Sequence, residues 1–220
     1  MAQLWELLGI GKGLTAVMGS GGKTSLLYEL AEELRPYGTV LLATTTHIMR
    51  PPQYPFAATA SALTAALAAH GAACAGSFTA EGKLTAPDFP GWETAADFVL
   101  VEADGAKGLP LKAHAAHEPV IPPCAQRVVT VVGIDGIGKP IGAACHRSAR
   151  YAQLALADEE ALVTPEIAAR VRNAEGGFDR VYINTVESAA AYEAAQAMAK
   201  ELSCPVVAGS LHQGVYVCLH

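Results

Sequence analysis

The sequence predicts a three-layer α/β fold built on a mostly parallel sheet, and three observations carry that prediction. Residues 14–27 read as a short apolar strand, a glycine turn and the start of a helix. Downstream, apolar strand-like runs alternate with helix-like runs, the order that parallel strands with crossover helices require. Several of the strand-like runs end in polar or acidic residues, at the carboxyl ends where ligands collect in open α/β sheets. At 220 residues the chain is expected to form one domain over residues 1–220, with an insertion at about 50–95.

The first run carries the chemistry. Gly19, Gly21 and Gly22 let backbone N–H groups converge on one point, and the following helix aims its positive end at the same point. Such a turn is a phosphate cradle. Gly19, Ser20, Gly21, Gly22, Lys23, Thr24 and Ser25 are therefore the candidate nucleotide-binding residues. Lys23 is placed to reach the outer phosphates, and the Thr24 hydroxyl to ligate a magnesium ion bridging them. The spacing departs from G-x-x-x-x-G-K-[S/T], whose first glycine would fall at Val17. The tighter Gly19-Ser20-Gly21-Gly22-Lys23-Thr24 resembles the G-x-x-G-K-T loop of the Mur-ligase branch of P-loop proteins. The expected fold class is accordingly a P-loop NTPase-like domain with a small inserted β-hairpin. The plain alternative is a glycine turn with Lys23 as a solvated surface charge.

Composition bounds the partners. Fifteen basic against 21 acidic residues give a net charge of −6, which argues against nucleic acid or an anionic membrane. An apolar fraction of 51% is ample for a core. Cys74, Cys124, Cys145, Cys204 and Cys218 are odd in number and form no C-x-x-C pair, the pattern of reduced thiols in a cytoplasmic protein. No signal-peptide pattern and no apolar run of membrane-spanning length is read.

Taken in order, Ala2–Leu8 reads as a short helix broken by the glycines at 9, 11 and 13. Thr24–Arg35 reads as an amphipathic helix with Leu26, Leu27, Leu30 and Leu34 on one face, stopped by Pro36 and Gly38. Thr39–Ala43 is a buried strand ending in Thr44-Thr45-Thr46-His47, a run that either faces the phosphates or only suits a strand end. Met49–Pro55 is proline-rich loop, Thr59–His70 an alanine-rich helix, and Ala75–Thr85 a hairpin turning at Glu81-Gly82.

Phe98–Val101 is a strongly apolar strand running into Glu102-Ala103-Asp104-Gly105. A carboxylate at such a strand end is the expected second half of a P-loop site, holding magnesium or orienting a water. Period-two alternation sets Glu102 and Asp104 on one side of the chain. Glu102 is the candidate metal ligand beside Thr24, and Asp104 the candidate base. The alternative is an acidic surface turn. His114 and His117 share a helical spacing, yet Pro119 follows and no third ligand has a signature spacing, so hydrogen-bonded histidines are expected. Lys107 and Lys112 are candidate anion-binding residues or ordinary surface lysines.

Arg127–Val132 is a further strand, with Asp135 just beyond its end, and Arg147 is a candidate for stabilising transferred phosphate. Tyr151–Ala157 reads as helical, and Thr164-Pro165 opens another helix. Arg180–Ile183 is a strand ending in Asn184-Thr185-Val186-Glu187. That run loosely resembles the N-K-x-D base reader of GTPases, but Thr185 and Glu187 remove the usual guanine contacts, so ATP is expected to bind at least as well as GTP. An alanine-rich helix to Leu202 and strands at Pro205–Ala208 and Val215–Leu219 complete the alternation.

Three blocks taken together, Met18-Gly-Ser-Gly-Gly-Lys-Thr-Ser25, Val101-Glu-Ala-Asp-Gly-Ala-Lys107 and Pro110-Leu-Lys with His117-Glu-Pro-Val-Ile-Pro122, resemble the YqeC-like family. Its members are accessory proteins for selenium-dependent molybdenum hydroxylases. The resemblance implies a role in maturing such an enzyme, with that hydroxylase or its maturation proteins as partners, and supplies no reaction. The residues supply one: a magnesium-dependent NTPase or kinase-like phosphotransferase using ATP or GTP. In it Lys23, Glu102, Asp104 and Arg147 are the catalytic candidates. The rival is a nucleotide-gated binding module whose turnover is incidental.

Overall fold

The computed structural model describes residues 2–220, which divide into two compact units. The first comprises residues up to Val17, Thr24–Gly105 and Val120–Val128; the second comprises Met18–Lys23, Ala106–Pro119 and Val129–His220.

Along the chain, α1 (Leu4–Leu7) is held by a capping box in which the Glu6 carboxylate accepts from the Gln3 amide. β1 (Gly13–Gly19) is buried from Leu14 onward, as a two-sided parallel strand must be. α2 (Lys23–Leu34) follows the glycine turn and buries Leu26, Leu27, Leu30 and Leu34. β2 (Val40–Thr44) and the short β3 (Phe56–Ala57) lead to α3 (Ala60–His70). The Thr59 hydroxyl accepts from Ala62 N at its start, and Gly71 ends it in the left-handed region. β4 (Ala72–Ala75), β5 (Ser77–Phe78), β6 (Leu84–Thr85) and β7 (Phe98–Glu102) complete the first half.

β8 (Leu111–Lys112), β9 (Ala125–Gly133), α4 (Ile141–Ala144), β10 (Cys145–His146) and α5 (Ser148–Ala155) come next. α6 (Pro165–Glu175) has Thr164 as its cap and proline at its first position. β11 (Arg180–Asn184), α7 (Ala189–Lys200), β12 (Val206–Ser210) and β13 (Val215–Cys218) end the chain.

The architecture is α/β with mostly parallel strands, as the alternation predicts. In the first unit the strand order is β1-β7-β2-β4-β3, parallel throughout. Its register sets Val17, Glu102 and Thr44 side by side. The inserted hairpin is present as the antiparallel pair β5–β6. In the second unit the order is β9-β11-β12-β13, parallel except for the final strand. Its core is a cluster that includes Val132, Ile141, Tyr151, Val171, Ile183, Met198 and Val206. Among the described residues, no helix is long and apolar enough to cross a membrane.

Candidate functional site

The glycine turn lies where β1 gives way to α2, and the second unit, to which it belongs, fixes it from three sides. Ser20 N donates to Val131 O at 3.0 Å, and the Ser20 hydroxyl donates to Pro110 O at 3.0 Å. Gly133 N donates to the same Pro110 carbonyl at 2.9 Å. The Asn184 side-chain amide donates to Gly21 O at 2.8 Å, while its oxygen accepts from Leu211 N at 3.3 Å. Only glycine fits the middle of this turn. Gly21 and Gly22 have φ of 87° and 122°, and a Cβ there would stand 2.4 Å from Gly133 N and 2.3 Å from Asn184 Nδ2. Lys23 is 5% exposed, and its ammonium donates to Gly19 O at 2.8 Å.

Thr24, the second residue of α2, donates its hydroxyl proton to Glu102 Oε2 at 2.9 Å. Two residues 78 apart in sequence thus meet, a hydroxyl and a carboxylate, both hard oxygen donors of the kind magnesium takes. Glu102 closes β7 and is 6% exposed, while Asp104 is wholly buried. Ser25 is exposed on α2. The threonine run serves the strand end: Thr44 donates its hydroxyl to Glu102 O at 2.9 Å, and Thr45 N donates to the same carbonyl at 3.1 Å. Thr46 N donates to the Thr44 hydroxyl, and the Thr45 hydroxyl to Val120 O. These threonines fix the backbone that carries the carboxylate.

A charged cluster occupies the second unit. Glu118 Oε2 accepts from Lys112 Nζ at 3.2 Å and pairs with Arg147 Nη2 at 2.8 Å. Burial alone would raise the Glu118 carboxyl, but the two cations outweigh it and hold it below its ordinary range. His114 is not on a helix; its Nδ1 lies 2.9 Å from Glu175 Oε2, and Arg172 pairs with that same oxygen at 2.5 Å. Glu175 is likewise depressed, burial being outweighed by His114 and Arg172. Arg147 thus lies in this cluster and, with Met18, lines a cavity of about 660 Å³. Asp135, as expected just past a strand end, accepts from the Thr185 hydroxyl at 3.2 Å.

Two contributors escape a sequence reading. Asn184 reads from sequence as the start of a loose base-reader run at a strand end, and nothing local says that its amide holds the Gly21 carbonyl. Pro110 contributes through its carbonyl, for which side-chain chemistry gives no signal.

The YqeC protein family model matches residues 15–149, a span that contains the glycine turn, Glu102, Asp104 and Arg147. The chain is also 35% identical over 183 residues to a protein of Escherichia coli (strain K12) named "Uncharacterized protein YqeC", covering 76% of this chain and 70% of that one. The chain belongs to the YqeC family.

Proposed function

We propose that the chain is a magnesium-dependent nucleotide-binding protein acting as an NTPase or kinase-like phosphotransferase. The observation that carries the reading is the 2.9 Å contact between the Thr24 hydroxyl and the Glu102 carboxylate, in the first turn of the helix behind Gly-Ser-Gly-Gly-Lys. A hydroxyl and a strand-end carboxylate placed together there are the two oxygen donors that would hold a magnesium ion. The clamped glycine turn supports it, because a cradle held open in advance loses little freedom when an anion enters.

In this reading the backbone N–H groups of Gly21–Thr24 hold the β- and γ-phosphates. Lys23 leaves the Gly19 carbonyl for a phosphate oxygen, and Thr24 and Glu102 hold the metal. Magnesium, when bound, neutralises developing phosphate charge. Asp104 takes the proton of the attacking hydroxyl or water. ATP serves at least as well as GTP, since Asn184 is engaged with the loop and with Leu211 rather than offered to a base. The setting is maturation of a selenium-dependent molybdenum hydroxylase, which the family resemblance supports.

Calorimetric titration with ATP and GTP, in magnesium and in excess chelator, tests the reading on wild type and Lys23→Ala. Magnesium-dependent binding that Lys23→Ala weakens at least tenfold is expected. Equal nucleotide affinity in a folded Lys23→Ala variant would refute it.

A further inference from the structure

Of the run Asn184-Thr185-Val186-Glu187, the glycine loop uses only the first residue, through the bond from Asn184 to Gly21 O. Beyond Asn184 the chain turns toward the end of β12, the parallel neighbour of β11, and Val186 N donates to Gly209 O at 3.0 Å. The turn is made at Thr185, whose φ of 64° is left-handed, an outlier for a β-branched residue. The Thr185 hydroxyl helps to hold it, through its bond to Asp135. Backbone of this kind persists where the surroundings fix it, and it gathers at ligand sites.

The turn brings Glu187 to Ser210, the last residue of β12. Ser210 Oγ donates to Glu187 Oε1 at 2.7 Å and accepts from Gln213 N at 3.1 Å, so its one proton belongs to the carboxylate. Ser210 is 1% exposed, whereas the Glu187 side chain is 39% exposed. A buried hydroxyl thus holds a carboxylate that a ligand can reach. His212 Nδ1 stands 4.0 Å from the same Oε1, beyond hydrogen-bond reach. Among the described residues, Oε2 is left as an acceptor.

This carboxylate is tied to the glycine loop by both flanking segments. Asn184 bonds Gly21, and Leu211, next to Ser210, bonds Asn184 and packs with its Cδ1 3.7 Å from where a Cβ on Gly22 would lie. Glu187 is three residues past Asn184, a reach of at most about 10 Å. A nucleoside whose phosphates lie in the loop spans that interval.

We infer that Glu187, positioned by Ser210, selects the base: its Oε2 accepts from an exocyclic amine, so adenine is chosen over a base with a carbonyl at the same place. The inference rests on the nucleotide binding proposed above and adds to it the class of base. A carboxylate has no proton to give, so a base carbonyl meets a second acceptor there and is repelled. Adenine and hypoxanthine differ in this one group, an amine in the first and a carbonyl in the second.

Calorimetric titration of the full chain with ATP, ITP and inorganic tripolyphosphate, all in magnesium, tests the inference. Wild type is expected to bind ATP about tenfold more tightly than ITP, the low end for a hydrogen bond to a charged group, because Glu187 is partly exposed. Glu187→Gln keeps an acceptor for Ser210 and adds an amide that donates to a carbonyl, so it is expected to abolish the preference while leaving tripolyphosphate binding unchanged. Ser210→Ala releases the carboxylate and is expected to reduce the preference, again without touching tripolyphosphate. A Glu187 that only braced β11 against β12 would weaken ATP and ITP alike. Equal affinity for ATP and ITP in wild type, or a preference retained in Glu187→Gln, would overturn the inference while tripolyphosphate binding left the glycine loop standing. Failure of both tripolyphosphate and ATP to bind overturns the two readings together.

Discussion

Replacing Asn184 tests how the glycine loop is held. Its side chain is 8% exposed and joins two chain segments, donating to Gly21 O at 2.8 Å and accepting from Leu211 N at 3.3 Å. Asn184→Ala deletes both bonds, and with them a 3.4 Å bond from the Tyr182 hydroxyl to the same oxygen that is too long to add much. At about 1 kcal/mol for each, with a further fraction for the Gly21 carbonyl left without its partner, the loss is about 2–3 kcal/mol. For a chain of this size each kcal/mol moves Tm by about 2–4 °C, so a fall of about 4–12 °C is expected. Asn184→Asp separates the two bonds. It keeps an acceptor for Leu211 N but sets a carboxylate oxygen against the Gly21 carbonyl, so it is expected to melt at or below the alanine variant. Both variants are expected to bind nucleotide more weakly, because the loop must then be ordered by the ligand. Thermal melts followed by circular dichroism, with calorimetric titration of ATP, provide the readings. An Asn184→Asp protein that melts and binds like wild type would refute the clamp.

Three further outcomes are expected. Glu102→Gln should weaken magnesium-dependent nucleotide binding, whereas Asp104→Asn should spare binding and lower single-turnover rate by about 10²-fold or more, the usual scale of acid–base contributions. Glu175→Gln leaves the buried Arg172 charge without its partner and should cost about 3–5 kcal/mol, read as a lower denaturation midpoint in urea. Asp97 is held at about 2, below its ordinary 3.8, by Lys12 and by the Thr39 hydroxyl and amide. A depressed carboxyl stabilises the fold above its unfolded value and stops doing so as pH falls through its folded one. Melting temperature should therefore drop between about pH 4 and 2 more steeply in wild type than in Asp97→Asn.

Long elements with a strong period are legible in the sequence. The helix at 23–34 announces itself by leucines at helical spacing and by Pro36, and the helix at 165–175 by Thr164-Pro165. Buried parallel strands such as Phe98–Glu102 show as continuous apolar runs. The strand Ala72–Ala75 does not, because alanine and cysteine carry little strand preference and its place is set by pairing with Val40–Leu42. Within the candidate site, the pairing of Thr24 with Glu102 follows from motif logic, since both stand where a loop and a strand end must meet. The grouping of Arg147 with Glu118 and Lys112 is not legible in the same way. It depends on long-range folding of loop segments, and charges in loops have no period.

The row formed by Val17, Glu102 and Thr44 bears on how this chain tolerates changes in length. Side chains alternate faces along a strand, so deleting one residue between Phe98 and Val101 would turn the Glu102 carboxylate away from Thr24 while leaving the strand apolar. Such a protein would keep its core and lose the Thr24–Glu102 contact. Lengthening the segment between Ile48 and Phe56, or the turn at Glu81-Gly82, shifts nothing in the row, and loop closure grows only logarithmically with added residues. Gaps and insertions among related chains should then crowd into those two segments and avoid residues 98–102, a distribution that can be read without purifying any of them.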